Sequence, residues 1–123
     1  MRKLLTVGLL SASLLATPTP ATATRPSCAT PAMNKLALDA GWPAAQLPRV
    51  MRVMWRESRC QSNARNKWAT GLMQIHRINL RWLSSSPLHI VHRGELLSPI
   101  RNLQAAHAVW VRQGWAAWGG AGA

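Results

Sequence analysis

Twice in this chain a hydroxyl-bearing residue followed by proline introduces a run that ends at a glycine: Thr30-Pro31 with Gly41, and Ser98-Pro99 with Gly114. The physics of helix ends accounts for all three residue types. A Ser or Thr oxygen accepts one of the orphan N–H groups of the first turn. Proline at the first helical position has no N–H to lose, and glycine takes the left-handed backbone just beyond the end. Helices are therefore expected from Pro31 to just before Gly41 and from Pro99 to just before Gly114. A third should open near Pro48, after the turn forced by Trp42-Pro43, and run to about Cys60. In the last helix Ile100, Leu103, His107 and Trp110 share a face at helical spacing. Little is left for a sheet. Residues 61–67 read as loop, "GLMQI" as a short strand or irregular link, "HRINLRWL" as helical, and the stretch from Ser84 to Leu97 as irregular. The fold class is mainly α, with one short β element at most.

The 123 residues make one domain at most. The first 23 are expected to lie outside it: Arg2 and Lys3, the apolar run Leu4–Ala16, then Ala21-Thr22-Ala23 have the layout of a secretory signal peptide. The apolar run is too short for a stable membrane span. Residues 24–118 are then the domain and 119–123 a flexible tail. An exported chain meets an oxidising compartment, so the only two cysteines, Cys28 and Cys60, are expected to form a disulfide. Closing a loop of about 33 residues is worth roughly 3–4 kcal/mol on the chain-entropy argument. Fifteen Lys and Arg face three Asp and Glu. So basic a surface attracts polyanions, which for an exported protein means anionic wall polymers or lipid before nucleic acid. No nucleic-acid partner is expected.

One of the three acids stands in an odd place. Val50, Val53 and Met54 follow the spacing of a core-facing stripe, and the next positions on that stripe are Glu57 and Ser58, with Arg52, Arg56 and Arg59 directed elsewhere. A carboxylic acid in poor solvent resists ionisation, which is how a protein keeps one protonated for general-acid work. Periodicity equally allows a plain ion pair with an arginine a turn away.

Glu57-Ser58, then Gly71-Leu72-Met73-Gln74-Ile75, then Asn102 and Ala105-Ala106 follow one another in the order and spacing of a known family. The chain resembles the soluble lytic transglycosylase (SLT) catalytic domain of the lysozyme-like superfamily, in a small secreted form, over about Cys28 to Trp118. The resemblance implies a small helical lysozyme-like domain with its short β element near the active site. It implies cleavage of the β-1,4 bond between N-acetylmuramic acid and N-acetylglucosamine of peptidoglycan, with closure of a 1,6-anhydro ring. Glu57 would be the acid and then the base. Ser58 would bond near it or to the sugar, Gly71 would keep the backbone low, and Met73 would line a sugar subsite. Gln74 would contact substrate, Asn102 would tie the last helix to the site, and Trp110 stands nearest to the place of the family's tyrosine. This chain has no Tyr and no Phe, so no phenolic hydroxyl can orient Glu57 from that side.

Glycosidases that work by two carboxylates need a second acid at a set distance. Only Asp39 and Glu95 are available, and Glu95 as a water-positioning base is the route to a muramidase-type hydrolase. A non-catalytic cationic wall-binding protein is the alternative from another class. No cofactor is called for. His89-x-x-His92 lacks the further ligands of a zinc site, so no metal is expected, and His107 reads as a core histidine. Of the seven tryptophans, three or more are expected in the core, with Trp68 and Trp82 as groove residues. The protein is read as a monomer, secreted or periplasmic, acting on glycan strands.

Overall fold

The computed structural model describes residues 25–120, so the proposed signal peptide and the last three residues of the tail lie outside the described residues. Helix α1 spans Pro31–Asp39, with Thr30 Oγ1 accepting the Met33 N–H at 3.0 Å. Helix α2 spans Leu47–Ser58 and is preceded by a 3₁₀ turn, Ala44–Gln46. Arg59 and Cys60 then take left-handed backbone and end it, a conformation that non-glycine residues seldom adopt. Strands β1 (Ala69–Thr70) and β2 (Ile75–His76) form a two-stranded antiparallel hairpin, with Ala69 opposite His76 and Thr70 opposite Ile75. "HRINLRWL" becomes a 3₁₀ turn, Arg77–Asn79, running into one α turn, α3 (Leu80–Leu83). Helix α4 spans Pro99–Gln113, capped by Ser98, and a 3₁₀ turn, Gly114–Trp118, closes the described chain. The architecture is a lysozyme-like α-rich domain with one small sheet. No helix among the described residues is long and apolar enough to cross a membrane.

The core lies between α2, α4 and the hairpin. Val50, Met51, Val53 and Met54 of α2 are buried together with Leu72, Met73, Ile75 and Leu103. Cys28 and Cys60 are joined, and the Cys28 N–H donates to the Met51 carbonyl at 3.0 Å, so the N-terminal segment is fastened across α2. Two expectations need correction. The segment before α4 is not wholly irregular, because Arg93–Leu97 forms a 3₁₀ turn. The inner face of α4 is made by Asn102, Leu103, Ala105, Ala106 and Val109, so of the four residues read as one face only Leu103 lies fully inside, with Ile100, His107 and Trp110 half-buried beside it. α1 packs on α4, and small residues there let the helices approach, which moves the larger rings to the shoulder. On that shoulder Trp42 stacks with Trp115, with centroids 5.6 Å apart, and also meets Trp110 and His107. Burial in this cluster lowers the pKa of His107. The residues of the tail nearest the domain are held: Gly119 closes the last turn, and the Gly120 carbonyl accepts from Arg49 at 2.8 Å.

Candidate active site

Glu57 sits on the last turn of α2, at the border between the buried stripe and solvent, with its side chain 25% exposed. It is not on the apolar face proper, because that place is taken by Ser58, which is buried and donates to the Met54 carbonyl at 3.1 Å. Ser58 therefore faces the core. Arg56 does not point elsewhere as its sequence position suggested. Its Nε and Nη2 donate to Glu57 Oε2 at 3.1 and 2.9 Å, and Nη2 also donates to the Trp118 carbonyl. Both bonds to the carboxylate fall on Oε2.

From Trp118 the connections continue inward. Its indole N–H donates to the Met73 carbonyl at 2.8 Å, and the Met73 N–H donates to Asn102 Oδ1 at 2.8 Å. Asn102 is fully buried, and its Nδ2 donates to the carbonyls of Thr70 and Leu96, each at 2.9 Å. One carboxamide thus joins α4, the hairpin and the preceding 3₁₀ turn. Gly71 lies directly against it at φ +83°: a Cβ there would come within 2.2 Å of Asn102 Nδ2 and 2.3 Å of the Leu96 carbonyl. The backbone comes this close only because the residue is glycine. Arg93 fastens the hairpin from the other side, donating to Thr70 Oγ1, Lys67 O and Ala69 O at 2.6, 3.0 and 2.9 Å.

Met73, expected to line a sugar subsite, is fully buried, and only its backbone takes part in this network. Gln74 has left-handed backbone, φ +49°, and its Nε2 donates to the Ala64 and Gly71 carbonyls at 3.0 and 2.9 Å. Its Oε1 is the side chain's remaining acceptor. Gln74, Asn79 and Trp118 border a small recess of about 40 Å³, room for water rather than a sugar ring. A larger cavity, of about 320 Å³, opens elsewhere, between the N-terminal segment and the start of α2. Trp110 belongs to the shoulder cluster with Trp42 and Trp115, and Trp115 in turn meets Trp118 with centroids 5.5 Å apart, so Trp110 is linked to the Glu57–Arg56–Trp118 chain through Trp115. Trp42 and Trp118 are buried, and Trp55, Trp82, Trp110 and Trp115 pack against the core. Trp68 is exposed on the hairpin, stacked with His76 and flanked by the cations of Lys67 and Arg77. Trp82 donates to Asn79 and lies beneath the Arg112 guanidinium.

The other two carboxylates are engaged in structure. Asp39 pairs with Lys35 one turn back on exposed α1, at 2.9 Å. Glu95 accepts the N–H groups of Val91 and His92 and meets Arg101 at 3.4 Å. Those bonds, the one from His92 foremost, hold its pKa below the ordinary value. Among the described residues no group of three His, Cys, Asp or Glu side chains could hold a metal ion.

Sequence reasoning missed Arg56 and Trp118. The available signals were the Arg56-Glu57 dipeptide itself and the Trp115-x-x-Trp118 spacing after Gly114.

A protein-family model, the Transglycosylase SLT domain, matches residues 41–111, more than half of the chain. The chain belongs to the SLT transglycosylase family. Searches of curated proteins and of solved structures give no significant match. The matched segment of this SLT domain runs from the turn before α2 into α4, and so includes Glu57, the hairpin and Asn102. At the level of the family, membership supports a peptidoglycan lytic transglycosylase-type activity, with peptidoglycan as the substrate.

Proposed function

We propose that the protein is an exported lytic transglycosylase that cleaves the N-acetylmuramic acid–β-1,4–N-acetylglucosamine bond, with Glu57 as the one proton-transferring group. Glu57 Oε1 gives its proton to the glycosidic oxygen as the bond to C1 breaks. The substrate's N-acetyl oxygen stabilises the developing charge at C1. The resulting carboxylate takes the proton of the C6 hydroxyl as O6 closes on C1, giving the 1,6-anhydro sugar and consuming no water. Arg56, held by Trp118, fixes Oε2 and so decides which oxygen faces the glycan. In this reading Arg56 orients Glu57 in a chain that has no tyrosine hydroxyl to do so. Gln74 Oε1 is the proposed acceptor for a substrate N–H.

The observation that carries this reading is the fate of the three carboxylates. Asp39 is paired with Lys35 on exposed α1 and Glu95 is committed to backbone N–H groups and Arg101, whereas Glu57, paired with Arg56, is the carboxylate tied through Arg56 and Trp118 to the SLT hairpin network. A hydrolase would need a second free carboxylate. The basic surface, carrying Lys67 and Arg77 against Trp68, suits an anionic wall. The test is digestion of purified peptidoglycan with mass analysis of the fragments. Anhydro products support the proposal, reducing ends mean a muramidase, and an absence of soluble fragments means a wall-binding protein.

A further inference from the structure

The cavity of about 320 Å³ is remote from the Glu57 network. It lies where the N-terminal segment crosses the beginning of α2, with Ala29, Leu47 and Pro48 as walls. Its polar lining residues are Arg25, Ser27, Asn34 and Arg52. Arg52 Nε is buried and has no hydrogen-bond partner among the described residues. That N–H is closed off from the pocket space, so a ligand would meet the rest of the guanidinium, which suits a planar oxyanion and can bind one through two parallel bonds. The volume is at the lower end for small-ligand sites. The walls offer short apolar contacts, and Asn34 offers an amide donor and acceptor for a peptide group.

We propose that this pocket binds the carboxylate end of a short peptide with small apolar side chains, the chemistry of a peptidoglycan stem peptide. The choice of a stem peptide rests on the proposed activity, whereas recognition of a carboxylate rests on the pocket alone. Arg52 precedes Glu57 by five residues of one helix, a separation of about 140° around the axis and about 7.5 Å along it. Glycan and peptide would therefore be held on different faces of α2. The guanidiniums of Arg52 and Arg25 take the carboxylate, and Leu47 and Pro48 take an alanine methyl.

The test is an NMR titration of the isotopically labelled, full-length Glu57→Gln protein, in which glycan cleavage is switched off. The probes are acetyl-lysyl-D-alanyl-D-alanine with a free carboxylate, the same tripeptide as its C-terminal amide, and inorganic phosphate. The proposal expects saturable shifts at Ser27, Ala29 and Asn34 with the free carboxylate. It expects the amide form to bind at least about tenfold more weakly, and Arg52→Gln to weaken the free form by about tenfold. Equal binding of both tripeptides would overturn it, as would shifts gathered around Gln74 and Trp118. Phosphate binding as tightly as the tripeptide would reduce the pocket to a plain anion site and overturn the peptide assignment. The wild-type digestion of peptidoglycan is read separately. Tripeptide binding without any cleavage would remove the proposed activity and leave the pocket, and cleavage without tripeptide binding would do the reverse.

Discussion

Replacing Asn102 by alanine should cost more stability than any other single polar change in the described chain. The carboxamide is fully buried and makes three bonds: it accepts the Met73 N–H and donates to the carbonyls of Thr70 and Leu96. In the variant no water replaces them, because Gly71 is packed directly against the site. With the orphaned N–H at about 2 kcal/mol and each carbonyl at about 1 kcal/mol, the loss is about 4 kcal/mol. That is a large part of the roughly 5–15 kcal/mol that holds a domain of this size together. Urea denaturation followed by tryptophan fluorescence would show it as a midpoint lowered by about 2–3 M, taking a slope of about 1.5 kcal/mol/M. Asn102→Asp is the companion. It keeps the acceptor for Met73 but must be protonated to donate to a carbonyl, so its folded pKa would be raised. The stability it retains would then be present at acid pH and lost as pH rises. A loss below about 1 kcal/mol for Asn102→Ala would refute the claim that this side chain joins the hairpin to α4.

Gly71→Ala should destabilise by about 2–4 kcal/mol, since the new Cβ meets both Asn102 and the Leu96 carbonyl at positive φ; an unchanged melting temperature would contradict that packing. Cys60→Ser, or reduction of the Cys28–Cys60 bond, should lower Tm by about 15 °C, the thermal equivalent of roughly 3 kcal/mol. Stability should also fall towards acid in two windows, because Glu95 and His107 both have folded pKa values below their unfolded ones. As pH drops below the ordinary histidine value of 6.5, the unfolded chain binds the His107 proton first. As it drops below 4.5, the same holds for Glu95, so the contribution of its bonds is complete above that pH and is lost through the lowered folded value. Glu95→Gln should abolish the lower window while sparing the upper one, and a pH-independent melting curve would contradict both.

What could be read from the sequence was local. Thr30-Pro31 and Ser98-Pro99 announce helix starts because a cap is satisfied within three residues, and both do cap: Thr30 bonds Met33 and Ser98 bonds Arg101. The disulfide followed from a count of two. The hairpin stayed ambiguous because each strand has only two residues, too few for a period, and its shape depends on Asn102 and Arg93, more than twenty residues away. The face of α4 was misplaced because hydropathy favours Trp110 over Ala105 and Ala106, whereas close helix contact favours alanine. At Glu57 the stripe put both Glu57 and Ser58 on the apolar face, whereas only Ser58 is buried and the carboxylate stands at the border. It could not foretell that Arg56 folds back, since that geometry is set by the Trp118 carbonyl, 62 residues further on. Met73 looked like a subsite residue by motif, yet its side chain fills the core and its backbone carries the connection instead.

The most direct measurement is the mass of the muropeptides released from purified peptidoglycan by the wild-type chain and by Glu57→Gln. A single carboxylate acting as acid and then base predicts wild-type fragments lighter by one water than hydrolysis products, and none from the variant. Reducing-end products from the wild type, or anhydro products still released by Glu57→Gln, would contradict it.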